Sequence, residues 1–357
     1  MPRFHKLAVT DIQKTTRDAV IISLTPIDDA DFDFIQGQYL TFRQDFDGVE
    51  VRRSYSICAG RQDGHLQVGI KKVAGGAFST WANERLEPGM VLEAMAPTGG
   101  FHTALEKDAS RTYLGFAGGS GITPVLSIIK TTLSEEPLSQ FTLIYANRNV
   151  GTIMFREELE DLKNHYMGRL NIVHILESAA GDIDIFQGRI DTQKCDALFA
   201  HWIDINTVDT AFICGPEPMM LTIVDALKAH GLDDTQIKFE LFTAAQHGQL
   251  KRPPKGETES NNSINSTKAT IILDGTTHNI EIPADSSVLE AALHNAIDAP
   301  FACKAGVCSS CKCKLIKGDV EMLSNHSLED YEVTGGYILS CQSFALTGEL
   351  IIDYDQH

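Results

Sequence analysis

The sequence holds no run of about eighteen consecutive apolar residues, the length a membrane-crossing helix needs. Its opening residues, Met1-Pro2-Arg3-Phe4-His5-Lys6, lack the apolar core of an export signal. Both absences point to the cytoplasm. Positive charge is scarce too: 30 Lys+Arg stand against 48 Asp+Glu, a net charge of −18. That argues against nucleic acid and against an anionic membrane surface as partners. The shortage is steepest in residues 267–357, with 13 acidic residues, 5 lysines and no arginine. An acidic face there suits docking on a basic partner, or serves only to keep the unit soluble. Internal repeats are absent, and so is the G-x-G-x-x-G dinucleotide fingerprint.

What is present is cysteine in a pattern. Eight cysteines without a secretory context belong in a reducing compartment, where thiols serve metals and chemistry rather than cross-links. Cys303, Cys308 and Cys311 fall in one loop, Ala302-Cys303-Lys304-Ala305-Gly306-Val307-Cys308-Ser309-Ser310-Cys311, and Cys341 follows after twenty-nine residues. C-x4-C-x2-C with a distant fourth Cys is the plant-type spacing of a [2Fe–2S] cluster. Three thiolates must converge from one tight turn, so the residues between them must be small. Ala305, Gly306, Ser309 and Ser310 meet that need, and Gly306 takes φ > 0 without penalty. Zinc more often takes two short C-x2-C pairs. Cys313 lies outside the ligand spacing and reads as structural.

At 357 residues the chain has room for about two or three domains. Residues 1–107 read as short strands between turns: Ala19–Leu24, Tyr39–Phe46, Val49–Ile57, Leu66–Lys71 and Val91–Ala96, with one helix at Phe78–Leu86. That is an antiparallel barrel or sandwich. Over residues 108–246 strands alternate with helices. The strands are Tyr113–Ala117, Phe141–Ala146, Leu170–Leu176, Ala211–Cys214 and Ile237–Phe242, and the helices Thr123–Leu133, Met154–Lys163 and Pro218–His230. This spells a doubly wound parallel sheet. Residues 247–266, rich in Pro, Ser, Asn and charge, form a linker. The remainder, 267–357, is a small α+β unit. Its strands Thr270–Leu273 and Asn279–Ile282 join across the hairpin signal Asp274-Gly275. Helix Ser287–Ala296 is capped by Ser286 or Ser287, and a last strand pair comprises Ile338–Cys341 and Leu350–Tyr354.

Three further constellations carry chemistry. Arg53-Ser54-Tyr55-Ser56 closes a strand in the first unit. The arginine offers a fork for a pyrophosphate, the tyrosine a plate for a flavin ring, and Ser56 a hydrogen bond to the ring edge. Gly75-Gly76-Ala77-Phe78-Ser79 brings a glycine turn to a helix N-terminus, an anion site. In the α/β unit, Gly118-Gly119-Ser120-Gly121-Ile122-Thr123-Pro124 and Cys214-Gly215-Pro216-Glu217-Pro218-Met219 both lead from strand into helix. Two such crossovers at one sheet edge make a dinucleotide crevice. Cys214 either faces a nicotinamide there or is a buried structural thiol. After Phe141–Ala146 stand Asn147-Arg148, with Arg156 in the next segment and no acid at that strand end. This favours NADPH over NADH, because a 2′-phosphate takes an arginine.

With R-S-Y-S, G-G-S-G-I-T-P and C-G-P-x-P-M in place, the chain resembles the ferredoxin–NADP reductase family of flavoproteins. The added ferredoxin makes it look like the reductase components of bacterial multicomponent oxygenases. That likeness extends over R-R-S-Y-S-I-C (Arg52–Cys58), F-T-L-I-Y-A-N-R (Phe141–Arg148), the A-C-K-A-G-V-C-S-S-C loop and Y-I-L-S-C-Q (Tyr337–Gln342). The resemblance implies a flavin β-barrel, an NADP-binding α/β domain and a β-grasp ferredoxin. It implies FAD held around Arg53, Ser54, Tyr55, Ser56, Lys71, Gly76, Phe78 and Ser79. The dinucleotide would be held by Gly119, Ser120, Gly121, Thr123, Arg148, Arg156, Gly215 and Pro216, with Glu240 and Phe242 near the flavin. Ser56 and Cys214 are the implied catalytic pair, and Cys303, Cys308, Cys311 and Cys341 the cluster ligands. The implied activity carries electrons from NADPH through FAD and the cluster to a di-iron oxygenase. A reductase for another oxygenase, an FMN enzyme with the same units, and a non-enzymatic electron-carrier subunit remain as rivals.

Overall fold

Six antiparallel strands open the chain: β1 (His5–Thr16), β2 (Ala19–Pro26), β3 (Tyr39–Phe46), β4 (Val49–Ser56), β5 (Leu66–Lys71) and β6 (Val91–Ala94). They hydrogen-bond in the order β4-β3-β6-β1-β2-β5, and a bridge between Ile57 and Val68 brings the two ends together. A sheet closed this way leaves few free edges. Its alternating inward side chains make the core, among them Leu7, Ile22, Leu40, Phe42, Val68 and Ile70, all fully buried. Helix α1 (Ala77–Glu84) packs Phe78 against Phe42 and Tyr55. Strand β1 has no counterpart in the sequence expectation. It alternates poorly because two register shifts, at Val9/Asp11 and Lys14/Thr16, rotate its side chains out of step.

In this computed structural model the described residues are 4–28, 30–178, 184–242, 266–328 and 330–356. Two units emerge, Phe4–Phe242 and, among the described residues, the segment from Ser266 onward. The first unit continues with β7 (Thr112–Gly118), β8 (Gln140–Asn147), β9 (Leu170–Leu176), β10 (Thr210–Gly215) and β11 (Ile237–Leu241), all parallel. Its helices are α2 (Ile122–Glu135), α3 (Arg156–His165), α4 (Thr192–His201) and α5 (Glu217–Ala229). Helix α3 begins two residues later than expected, because Phe155 sits at φ 58 in the left-handed region and cannot belong to it. Helix α4 has no counterpart in the sequence expectation either. Asp191 caps it, accepting a bond from the Lys194 N–H at 2.8 Å, a contact worth about 1 kcal/mol.

The second unit begins at Ser266, the last residue of the expected linker; residues 247–265 lie outside the described residues. It comprises β12 (Ser266–Leu273), β13 (Thr276–Pro283), α6 (Val288–His294), β14 (Lys312–Lys317), β15 (Val320–Met322), α7 (Asp330–Thr334), β16 (Tyr337–Leu339), β17 (Ser343–Ala345) and β18 (Glu349–Asp353). Asp274 (φ 52) and Gly275 (φ 69) turn β12 into β13 as a two-residue hairpin. Ser287 is the cap of α6, bonding the Glu290 N–H at 3.2 Å. The last two strands of the sequence expectation do not pair with each other. The sheet runs β13-β12-β18-β14-β16, so β14 stands between β16 and β18.

Candidate functional site

From β7 the parallel sheet steps outward through β8 to β9, then returns to the other side of β7 with β10 and β11. The reversal between β7 and β10 is where an open α/β sheet forms its ligand crevice. There the turn Gly118–Gly121 meets Cys214–Pro216. A Cβ on Gly121 would stand 2.1 Å from the Cys214 carbonyl oxygen, so only glycine lets the two turns touch. Gly118 and Gly215 are pressed in the same way by Pro216 and Met219. Gly119, at φ 54, instead faces open space, with Lys71 Nζ 3.8 Å from where its Cβ would lie. Behind it α2 starts without a side-chain cap, continuing the tight turn Gly119–Gly121, whose carbonyls at Gly119 and Ser120 take the Ile122 N–H. Thr123 is buried, donates to the Ser120 carbonyl at 3.0 Å, and sets its methyl against Gly69 of β5.

Cys214 and Glu240 are register partners on β10 and β11. From the end of β4, Ser56 donates its hydroxyl to Glu240 Oε2 at 3.2 Å. Barrel and sheet therefore meet through a bond between Ser56, one of the expected catalytic pair, and Glu240, expected near the flavin. Glu240 keeps part of its surface exposed, yet desolvation of its carboxyl pushes its pKa up to about 8, against the opposing pull of the Ser56 bond. Near neutral pH it is mostly an uncharged acid. Burial, and then the charge of Glu240, drives the Cys214 thiol up, so it stays a neutral polarisable wall. Phe242 is exposed two residues beyond Glu240.

On the barrel side, Tyr55 packs its ring on Phe78 (5.5 Å between centroids) and Phe42 (6.2 Å), and is only partly buried. Arg53 lies along β4, donating to the Arg52 carbonyl at 2.6 Å. Gly75, at φ 74, faces open space, and Gly76 starts α1 with no side-chain cap. An aromatic plate, a guanidinium and an open helix start suit a flavin nucleotide. Two predicted residues have other work. Ser54 pairs with Thr41 across the strands at 3.0 Å. The Ser79 hydroxyl accepts from Val73 N–H and donates to the Gly76 carbonyl, closing its own turn. At the end of β8, Arg148 is exposed, while Arg156 pairs with Glu160 at 3.1 Å along α3.

Sequence reasoning missed how the barrel is fastened to the sheet. Residues Ala59–Asp63 grip helix α2 from Ser127 onward. Ser127 Oγ donates to the Ala59 carbonyl (2.6 Å), Gln62 to the Lys130 carbonyl (3.2 Å), and the Arg61 N–H to Thr131 Oγ1 (3.1 Å). Lys130, nearly buried, pairs with Asp63 and with Glu158 of α3 (2.7 Å). Burial alone would lower the Lys130 pKa, but the two carboxylates outweigh it and the net shift is upward. No local motif announces such a cluster, because its members come from three separate segments.

In the second unit, the four cysteines stand as two pairs in contact, Cys303 with Cys308 and Cys311 with Cys341. Two thiolates for each of two irons is the arrangement a [2Fe–2S] rhomb takes. The loop is set for it: Ala305 N–H points at Cys303 Sγ (3.3 Å), and Cys303 N–H at Cys308 Sγ (3.4 Å). Gly306, at φ 77, could carry no Cβ, which would meet the Ser324 carbonyl oxygen at 2.7 Å. Cys313 is buried on β14 against the Ile338 carbonyl, apart from the pairs.

Comparison with known proteins agrees domain by domain. An oxidoreductase FAD-binding domain matches residues 6–103, an oxidoreductase NAD-binding domain 116–225, and a 2Fe-2S iron-sulfur cluster binding domain 271–346. Fold and site thus define a flavin- and iron–sulfur-dependent NAD(P)H oxidoreductase. The chain is 43% identical over 359 residues to one of the subunits of 1,2-phenylacetyl-CoA epoxidase from Escherichia coli (strain K12), covering 99% of each. It is 32% identical to the ferredoxin reductase component of 3-ketosteroid-9-alpha-monooxygenase from Mycolicibacterium smegmatis, covering 98% of this chain and 97% of that one. Among solved structures, phthalate dioxygenase reductase superposes with a TM-score of 0.59 at 26% identity, over 98% of each chain. The chain belongs to the family of three-domain reductase components of oxygenases. Among the described residues no helix is long and apolar enough to cross a membrane.

Proposed function

We propose that this protein is the NADPH-dependent reductase of a di-iron oxygenase acting on phenylacetyl-CoA in phenylacetate degradation, working in the cytoplasm. The whole-length similarity to the Escherichia coli epoxidase subunit carries the reading. The domains divide as 1–107 for FAD, 108–246 for the nucleotide, 247–266 as linker and 267–357 for the ferredoxin. When bound, FAD and the cluster supply the exchange between paired and single electrons that a hydride donor and an oxygenase require.

The chain's own residues do the rest. The open start of α1 and the Gly119–Gly121 turn ahead of α2 bind phosphates, with Arg53 and Lys71 adding charge. Tyr55, backed by the buried Phe78, orients a ring on its open face. Arg148 and Arg156 select a 2′-phosphate, Arg156 by giving up its Glu160 partner. Ser56 and Glu240 hold a proton at Oε2, and Cys214 keeps water from the nicotinamide site. Reconstitution tests the partner: purified protein with phenylacetyl-CoA oxygenase subunits should turn over substrate on NADPH, and turnover only with a ring-hydroxylating or steroid oxygenase would redirect the assignment. A larger kcat/KM for NADH would remove the nucleotide preference, and absence of NADPH-dependent cytochrome c reduction would leave a bare electron carrier.

A further inference from the structure

Gln342 directly follows the fourth cluster cysteine, and its side chain is fully buried. A buried amide needs reasons, since its donors and acceptor must be matched or cost stability. Its Nε2 donates to the Lys304 carbonyl at 3.0 Å and stands 3.6 Å from Cys341 Sγ. The carbonyl needs a donor, and that fixes which end of the amide is nitrogen. Lys304 lies in the cysteine loop at φ 53, so one amide joins the strained loop to the distant ligand. Oε1 has no partner among the described residues. A loop anchor alone does not call for a side chain that leaves an acceptor unmatched in the interior. The additional thing an amide provides is an N–H dipole at a ligating sulfur.

Hydrogen bonds to cluster sulfurs stabilise the more negative, reduced state and so raise the reduction potential. We propose that Gln342 tunes the potential of the electron-output site through its contact with Cys341, while tethering the loop at Lys304. It is a positioning and tuning residue, and the inference stands whichever oxygenase is the partner. It rests on the cluster assignment, which the wild-type visible spectrum and iron and sulfide content check separately.

The test uses the full chain with Gln342→Met, of similar length but with no donor. At a poise where wild-type clusters are half reduced, the reduced-to-oxidised ratio should fall about tenfold, the lower end of what outer-shell partners of metals carry. For one electron that is about 59 mV toward negative potential. Iron content and the flavin potential should not change. An unaltered cluster potential overturns the proposal, whether or not cluster content drops, because an anchor alone would affect only assembly. If Gln342→Met fails to assemble, wild-type protein carrying glutamine isotopically labelled at the side-chain nitrogen decides. Pulsed electron paramagnetic resonance of the reduced cluster should show coupling to that nitrogen, and its absence overturns the proposal equally.

Discussion

The two units hold their sites by opposite means. In Phe4–Phe242 the crevice is assembled from parts already fixed by packing: turns that interlock through Gly121, a helix α2 buried along most of its length, and an ionic fastening at Lys130. In the unit from Ser266, the site is a loop with Lys304, Gly306 and Ser309 all at positive φ. Non-glycine residues there cost on the order of 1–2 kcal/mol each. The first site is shaped by its core, whereas the second depends on its metal, whose binding energy offsets the strain.

The largest effect follows from removing that metal. Cys341→Ala, or iron chelation, should abolish cytochrome c reduction and lower the melting of the ferredoxin unit, while NADPH-dependent ferricyanide reduction and the melting of the reductase unit stay unchanged. A parallel collapse of both units would break the contrast. Next is Lys130→Met, which strands Asp63 and Glu158 and should destabilise the reductase unit by about 3–5 kcal/mol in calorimetry. The ferredoxin transition should not move.

A smaller, pH-dependent effect belongs to Glu240. Its folded pKa of about 8 exceeds the ordinary 4.5, so stability held below 4.5 is lost as pH rises toward 8 and is flat beyond. On the proposed reading Glu240 lies near the flavin, and its uncharged form avoids a negative charge beside a ring that becomes more negative on accepting hydride. Reduction of the flavin by NADPH, followed by stopped flow, should therefore drop roughly tenfold for each unit above pH 8. Glu240→Gln should lose that limb. The smallest effects are matched: Asp191→Ala in one unit and Ser287→Ala in the other should each cost about 1 kcal/mol. Only Ser287→Ala should also make iron easier to remove with chelator.

Much of this architecture was readable from the chain. Tyr39–Phe46, Leu66–Lys71 and Leu170–Leu176 match the observed strands residue for residue, since each is an apolar or alternating run between turn signals. The cysteine spacing and the Asp274-Gly275 turn were equally legible, because the chemistry sits in consecutive residues. Strand β1 escaped because bulges disrupt its alternation, and β14 because Lys312-Cys313-Lys314 reads as loop until β16 and β18 flank it. The resemblance supplied Glu240, but its bond to Ser56 joins residues 184 positions apart and leaves no periodic trace. Lys130 and Gln342 are of the same kind: each matters through a neighbour brought by the fold.

The grip of Ala59–Asp63 on α2 has one more consequence. With carbonyls and charges stitched along the helix, the barrel and the parallel sheet are set against each other when the chain folds rather than when a ligand arrives. Hydride transfer between sites carried on two bodies fixed in this way should then be indifferent to solvent viscosity.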